Sequence, residues 1–274
     1  MRVHGCIDSV GHLGSDGHAC WAFHERQEFI DAALEFFAEG LGSGQRIAYI
    51  GSESVAEQRE RLDPLGGVGA MIDTGVLQLF DLGDLYRVGE PVDAGAQLAL
   101  YAAAADAAFA DGYAGLRVAA QGTDLLTDPE TWDAHARWES AADRVFSGRP
   151  LSAICGYQRG AVPPQILNDL AALHPAANVS SGSVPFHLFG EDGGLALTGE
   201  VDLFSSEALD RALEFACGVE EPASLDLEAL EFIDHHGIEV LARHTRRLAA
   251  ARGCRVRNRP PIVDRLCDLL ELEL

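Results

Sequence analysis

The residues able to do chemistry in this chain fall in three places. Near the start, His18-Ala-Cys20 is followed by His24 and Arg26. Side chains two apart on a strand share a face, so His18 and Cys20 point the same way. An imidazole beside a thiol can bind a transition metal, a heme or a reactive small molecule, and Arg26 offers an anion contact. Cys20 would equally serve as a small buried hydrophobe, with His18 hydrogen-bonded in a core. Further on, His135 and Trp138 sit on a helical stretch that precedes a strand bearing Cys155 and Tyr157. The third place is Asp234-His235-His236-Gly237-Ile238, at the start of a helix. Asp234 is suited to accept the free backbone N–H groups there. Adjacent histidines without a third ligand nearby make a poor metal site, so a polar surface facing a partner is the preferred reading.

What is missing narrows the chemistry further. All twenty basic residues are arginine, so no lysine can hold a nucleotide phosphate or form a Schiff base. No G-x-S-x-G elbow occurs, and His24-Glu-Arg-Gln-Glu28 is not the H-E-x-x-H metal motif. Gly66-Gly-Val-Gly69 lies in a connection rather than between a strand and a helix, which fails the dinucleotide test. Glu200 and Asp202 fit a strand-to-helix turn better than an acid/base pair. No catalytic residue, cofactor or metal is expected. The net charge of −23 argues against nucleic acid and anionic membrane as partners. Six scattered cysteines without a C-x-x-C pair, and no apolar leader, point to a reducing cytoplasm.

These residues need a scaffold, and the apolar periodicity supplies one. Strands are predicted at His18–Phe23, Arg46–Ile50, Gly75–Phe80, Leu116–Ala120 and Leu151–Tyr157. Helices are predicted between them, including one opened by Asp128-Pro129 and running to about Phe146. This alternation predicts an α/β fold, a mostly parallel sheet with helices on both faces. Ser180-Ser-Gly-Ser183 reads as a linker, after which short strands and helices restart as a smaller α/β unit. The expected organisation is a flexible arm over 1–17, a first domain over 18–178 and a second over 184–274. Arg243, Arg246, Arg247, Arg252, Arg255, Arg257 and Arg259 form a basic segment, suited to a solvated face or to an acidic contact.

Residues 18–175 resemble the MEDS sensory domain through His18-Ala-Cys-Trp-Ala-Phe23, Ala38-Glu-Gly-Leu41 with Gly44-Gln-Arg-Ile-Ala-Tyr-Ile50, Ile154-Cys-Gly-Tyr157 and Leu173-His-Pro175. The resemblance implies a degenerate RecA/KaiC-type core that senses a small molecule. The strand ending at Phe23 runs into His24-Glu-Arg-Gln-Glu28, with no phosphate-cradling glycine or lysine, and the strand ending at Gln121 has no acid for a metal. Nucleotide hydrolysis is therefore not expected. The expected sensory contacts are His18, Cys20, His24, Arg26, His135, Cys155 and Tyr157, grouped beyond the carboxyl ends of the strands.

Residues 184–274 resemble a STAS domain of the anti-sigma factor antagonist type through Leu197-Thr-Gly-Glu-Val-Asp202, Ser224-Leu-Asp-Leu227, Phe232-Ile-Asp-His-His-Gly-Ile238 and Ala251-Arg-Gly253. In that family the turn usually reads Asp-Ser-Ser-Gly or Asp-Ser-Thr-Gly, and a kinase phosphorylates the second hydroxyl residue. Here that residue is His236. The resemblance implies a non-catalytic regulator that binds an anti-sigma factor or serine-kinase-type partner through Asp234, His235, His236, Gly237 and Ile238. A homodimer is compatible with it. The alternative is a metal- or thiol-dependent enzyme, or a metal or heme sensor, using His18 and Cys20.

Overall fold

The computed structural model describes residues 2–217 and 222–274. In chain order the elements are β1 (Gly5–Cys6), β2 (His18–Phe23), α1 (Arg26–Gly42), β3 (Arg46–Gly51), α2 (Val55–Arg61), α3 (Val68–Asp73), β4 (Leu77–Asp81), α4 (Leu82–Leu85), α5 (Ala94–Ala110), β5 (Leu116–Gln121), α6 (Pro129–Phe146), β6 (Leu151–Gln158), α7 (Pro164–Ala172) and β7 (Ala176–Ala177). The second half contributes β8 (Phe186–Glu191), β9 (Gly194–Val201), α8 (Ser206–Ala216), β10 (Ser224–Asp226), β11 (Leu230–Ile233), α9 (His235–Arg252), β12 (Arg255–Arg257) and α10 (Pro261–Leu270). None of the helices among the described residues is long and apolar enough to cross a membrane.

The first half is a seven-stranded sheet in the order β1-β7-β2-β6-β5-β3-β4, with every pairing parallel. Its central strands are buried on both faces, as parallel strands require. Alternate residues supply the two faces. Ala19, Ile47, Tyr49, Ala119 and Ile154 meet Phe29, Phe36 and Phe37 of α1. Ala48, Ile50, Val118 and Ala153 meet Tyr101 of α5 and Trp138 and Phe146 of α6. Helix α6 starts as its sequence predicts: Asp128 accepts from the N–H groups of Glu130 and Thr131, and Pro129 occupies the first turn. The second half is a smaller mixed sheet in which β8 pairs antiparallel with β9.

The arm departs from its expected flexibility. Gly5 and Ile7 donate to Pro175 and Ala177 carbonyls at 2.8 and 2.9 Å, so β1 closes the sheet edge beside β7. Val10 and Leu13 are buried in the α1 cluster. A two-residue strand among glycines and histidines carries no periodic signal, but its backbone groups still find partners.

The linker reading of Ser180–Ser183 also needs amending. That segment is a turn, closed by Ser183 N donating to Ser180 O at 2.8 Å. The chain beyond this turn packs directly on the first half. One apolar cluster runs from Cys20, Tyr157 and Leu170 through Phe186 and Leu197 to Leu241. Arg211 of α8 forms an ion pair with Asp169 of α7 at 2.8 Å. At Gly190 of β8 the two backbones come close: a Cβ there would sit 2.6 Å from Arg144 Cα and 2.8 Å from Arg144 N.

This shared core predicts that the two halves unfold as one unit. Gly190→Ala must push β8 off α6 and should cost about 1–3 kcal/mol, the usual penalty of overpacking. The three tryptophans, Trp21, Trp132 and Trp138, all lie in the first half. Urea unfolding followed by tryptophan fluorescence should therefore coincide with unfolding followed by circular dichroism, and both midpoints should fall together in Gly190→Ala. A fluorescence midpoint that stays put while the rest melts earlier would show two independent units.

Candidate functional site

Helix α6 sets His135, Glu139 and Asp143 at four-residue intervals, which stacks them on one face against the sheet. Opposite them, β2 offers His18 and β6 offers Cys155 and Tyr157. His174, just past α7, reaches in from the side. Glu139 is the centre, although only 2 % of it is exposed. Its Oε1 accepts a short hydrogen bond from the Tyr157 hydroxyl and lies 3.2 Å from His135 Nε2. Its Oε2 lies 3.3 Å from His18 Nε2, 3.4 Å from His174 Nε2 and 3.6 Å from Cys155 Sγ.

A second carboxylate, Asp143, stands one turn along and has no solvent contact. It accepts from Arg2 Nη2 at 2.6 Å and Nη1 at 3.1 Å, from His18 Nδ1 at 3.2 Å, and from Gly190 N at 2.6 Å. Arg2 Nη1 also donates to the Gly190 carbonyl at 2.7 Å. Beside it, His187 Nδ1 donates to the His174 carbonyl at 2.9 Å. The polar cluster of the first half is thus bonded at two points to β8 of the second.

Burial shapes the electrostatics here. It opposes ionisation of Asp143, but the Arg2 charge and the His18 hydrogen bond outweigh it and hold the carboxyl well below its usual range. It also opposes a charge on His18, yet hydrogen bonds to Asp143 and Glu139 raise that imidazole's pKa. His174 moves the other way, lowered by burial and by its neighbour His18. Burial pushes the Cys155 thiol up, and the Glu139 charge pushes it further, so without a cation it stays protonated.

Between the cluster and α5 lies a small cavity of about 20 Å³, walled by Tyr86, Tyr101, Trp138 and Phe146, with His135 and Tyr157 at its polar side. That is room for roughly one water molecule. Metal-type donors are present too: His18, Glu139, Cys155 and His174 each present one ligand atom, all within 4.8 Å of one another.

Of the seven residues expected at a sensory site, the structure brings four together: His18, His135, Cys155 and Tyr157. Cys20 pairs across from Cys155 in the strand register but packs in the apolar cluster, where burial raises its thiol pKa. His24 and Arg26 do not join. His24 is exposed beyond the strand end, and Arg26 is taken up by Glu53 at 3.2 Å, within a network that includes Tyr49 and Gln121. The cluster lies on the sheet face beneath α6 rather than beyond the strand ends. Arg2, Glu139, Asp143 and His174 were not among the expected contacts. The four-residue spacing from His135 marks Glu139 and Asp143; no sequence signal marks Arg2.

In the second half Asp234 caps α9, with Oδ1 accepting from His236 N at 2.9 Å and Gly237 N at 3.0 Å. His235 is exposed and His236 half-buried, their rings 3.8 Å apart. Gly237 and Ile238 face inward, which corrects their expected role as partner contacts. Ile238 has no exposed surface, and a Cβ on Gly237 would lie 2.7 Å from Ile233 and Val201. Exposed apolar groups not foreseen are Leu203 and Phe204, beyond the end of β9; Phe204 is 90 % exposed. They neighbour the turn, because Asp234 N donates to Val201 O at 3.0 Å. In the basic segment, Arg243, Arg257 and Arg259 pair with Asp210, Asp226 and Asp264 of the same half, while the Arg252 side chain lies outside the described residues.

Two family profiles match the chain. The one described as "MEDS: MEthanogen/methylotroph, DcmR Sensory domain" covers residues 17–175, and the STAS domain covers residues 191–273. No curated protein matches it.

Because Asp143 serves Arg2, His18 and Gly190 at once, Asp143→Asn leaves a buried guanidinium without its counter-charge. The expected loss is about 3–5 kcal/mol of stability, read as a lower urea midpoint. Combining it with Arg2→Met removes the stranded charge and should recover part of that loss; strictly additive losses would show that the two side chains are not coupled.

Proposed function

The chain belongs to the MEDS family of sensory domains and carries a STAS domain behind it, which makes it a signalling protein of the anti-sigma factor antagonist kind; from that premise we propose that it relays a chemical signal without catalysis, sensing a small molecule near Glu139 and binding an anti-sigma factor or a serine-kinase-type regulator at the Asp234 turn. Neither domain belongs to an enzyme family. The observation that carries the relay is the double role of Asp143, whose one carboxylate accepts both from His18 in the buried cluster and from Gly190 in β8.

An event that moves His18 pulls on that carboxylate, and through it on β8 of the second sheet. Such a relay requires two states that differ in ligand affinity. With room for only about one water, a bound organic molecule would have to displace the aromatic wall, which is itself a structural change. The partner face combines His235 and His236 with Leu203 and Phe204, an apolar patch beside polar groups of the kind that marks interaction sites. With His236 in place of the hydroxyl, phosphorylation there has no acceptor of the family's kind. Control then falls to the sensory half.

The test is affinity capture of the tagged full chain from lysate of its own organism, with wild type, His236→Glu and Phe204→Ala compared. Mass spectrometry should recover an anti-sigma factor or a kinase of its type with wild type, and at least about tenfold less with either variant, as expected for central interface residues. Recovery of no such regulator, or equal recovery by all three proteins, would reject the partner assignment.

A further inference from the structure

We propose that His18, Glu139, Cys155 and His174 together form a closed binding site for one divalent transition metal ion of the zinc type. The proposal stands independently of the partner assignment, since it concerns only residues of the first half. It differs from a His18/Cys20 site, because the thiol that completes it is Cys155.

The geometry is the first support. A tetrahedral zinc site with bonds of about 2.0–2.3 Å sets its donor atoms roughly 3.3–3.8 Å apart. Here His18 Nε2 lies 3.3 Å from Glu139 Oε2 and 3.4 Å from Cys155 Sγ. Glu139 Oε2 lies 3.4 Å from His174 Nε2 and 3.6 Å from Cys155 Sγ. The remaining two separations are within 4.8 Å. Two imidazoles, one thiolate and one carboxylate make a donor set that zinc accepts.

The second support is an unpartnered atom. His174 Nδ1 lies 2.8 Å from the Leu170 carbonyl, which can only accept, so Nδ1 carries the ring proton. In the neutral ring Nε2 then presents a lone pair. That atom is fully buried, lacks a hydrogen-bond partner among the described residues, and faces Glu139 Oε2, another acceptor. Two acceptors held 3.4 Å apart in a dry interior repel unless a cation sits between them. A metal ion resolves that opposition.

The supports around the ligands have the form that metal sites use to orient them. His18 turns its Nδ1 to the Asp143 carboxylate and His174 its Nδ1 to a backbone carbonyl. Glu139 keeps its other oxygen on Tyr157 and His135. Charge also closes. A divalent ion with the Glu139 carboxylate and the Cys155 thiolate is neutral, and so is the Arg2–Asp143 pair. Binding displaces the thiol proton and any proton on His18 Nε2 to solvent.

The decisive experiment uses the full chain, unfolded in urea with a chelator and refolded with or without cobalt(II) as a spectroscopic stand-in for zinc. One equivalent of cobalt should bind, giving tetrahedral d–d bands and a thiolate-to-cobalt charge-transfer band, and should raise the thermal midpoint. Cys155→Ser should lose the charge-transfer band. His174→Gln should bind at least about tenfold more weakly; circular dichroism verifies that each variant folds. Wild type that refolds fully and takes up no cobalt overturns the proposal. So does a spectrum unchanged by Cys155→Ser, or one abolished by His236→Ala, which would move the ion to the exposed Asp234 turn.

Discussion

A carboxylate sealed from solvent must be compensated from inside the protein, and Asp143 is compensated from three directions. Arg2 approaches from the N-terminal arm, His18 from the first long strand, and Gly190 from the second sheet. Burying such a charge is expensive, and the ion pair that results is a weak source of net stability. Its value lies in selection. Packings that leave Arg2 in water, or β8 a few ångströms away, strand a charge in the interior. The arm, helix α6 and the junction between the halves are therefore tied to one another through one side chain, beside the apolar cluster that the halves share.

Glu139 obeys the same logic one turn away, with a different result. Around Asp143 every lone pair meets a donor, whereas beside Glu139 Oε2 the His174 Nε2 is left without a hydrogen-bond partner among the described residues. The two carboxylates, spaced four residues apart on one helix, thus differ in their surroundings: one is closed by donors on every side, the other faces a bare imidazole nitrogen.

The long strands and helices were legible because apolar residues repeat with the right period over five residues or more. β1, β7 and β11 were not, being too short or too irregular to show a period. The candidate site was half legible. His18, His135, Cys155 and Tyr157 are conspicuous by type, and strand alternation puts the strand residues among them on one face. Glu139 and Asp143 were hidden by composition: among 43 acidic residues, a carboxylate on a helix is expected to face water. Their spacing from His135 held the missing information. His24 and Arg26 were drawn in by analogy with an ATPase core, whose ligands lie beyond the strand ends; in this chain the polar side chains of β2 and β6 turn instead toward α6. Arg2 could not have been found, since an isolated arginine in an aperiodic arm has no local reason to be buried.

The apolar cluster that continues from Leu170 into Phe186 and Leu197 bears on how the molecule is made. A ribosome delivers the chain from its N-terminus at about 5–20 residues per second. When the seven-stranded sheet has emerged, one side of α7 and β2 still lacks its cover. That surface stays open until β8 and β9 emerge in turn and close over it. During that interval the nascent chain presents a greasy flank to its surroundings, and binding factors that shield such flanks should matter most for it while residues 176–200 are emerging from the ribosome.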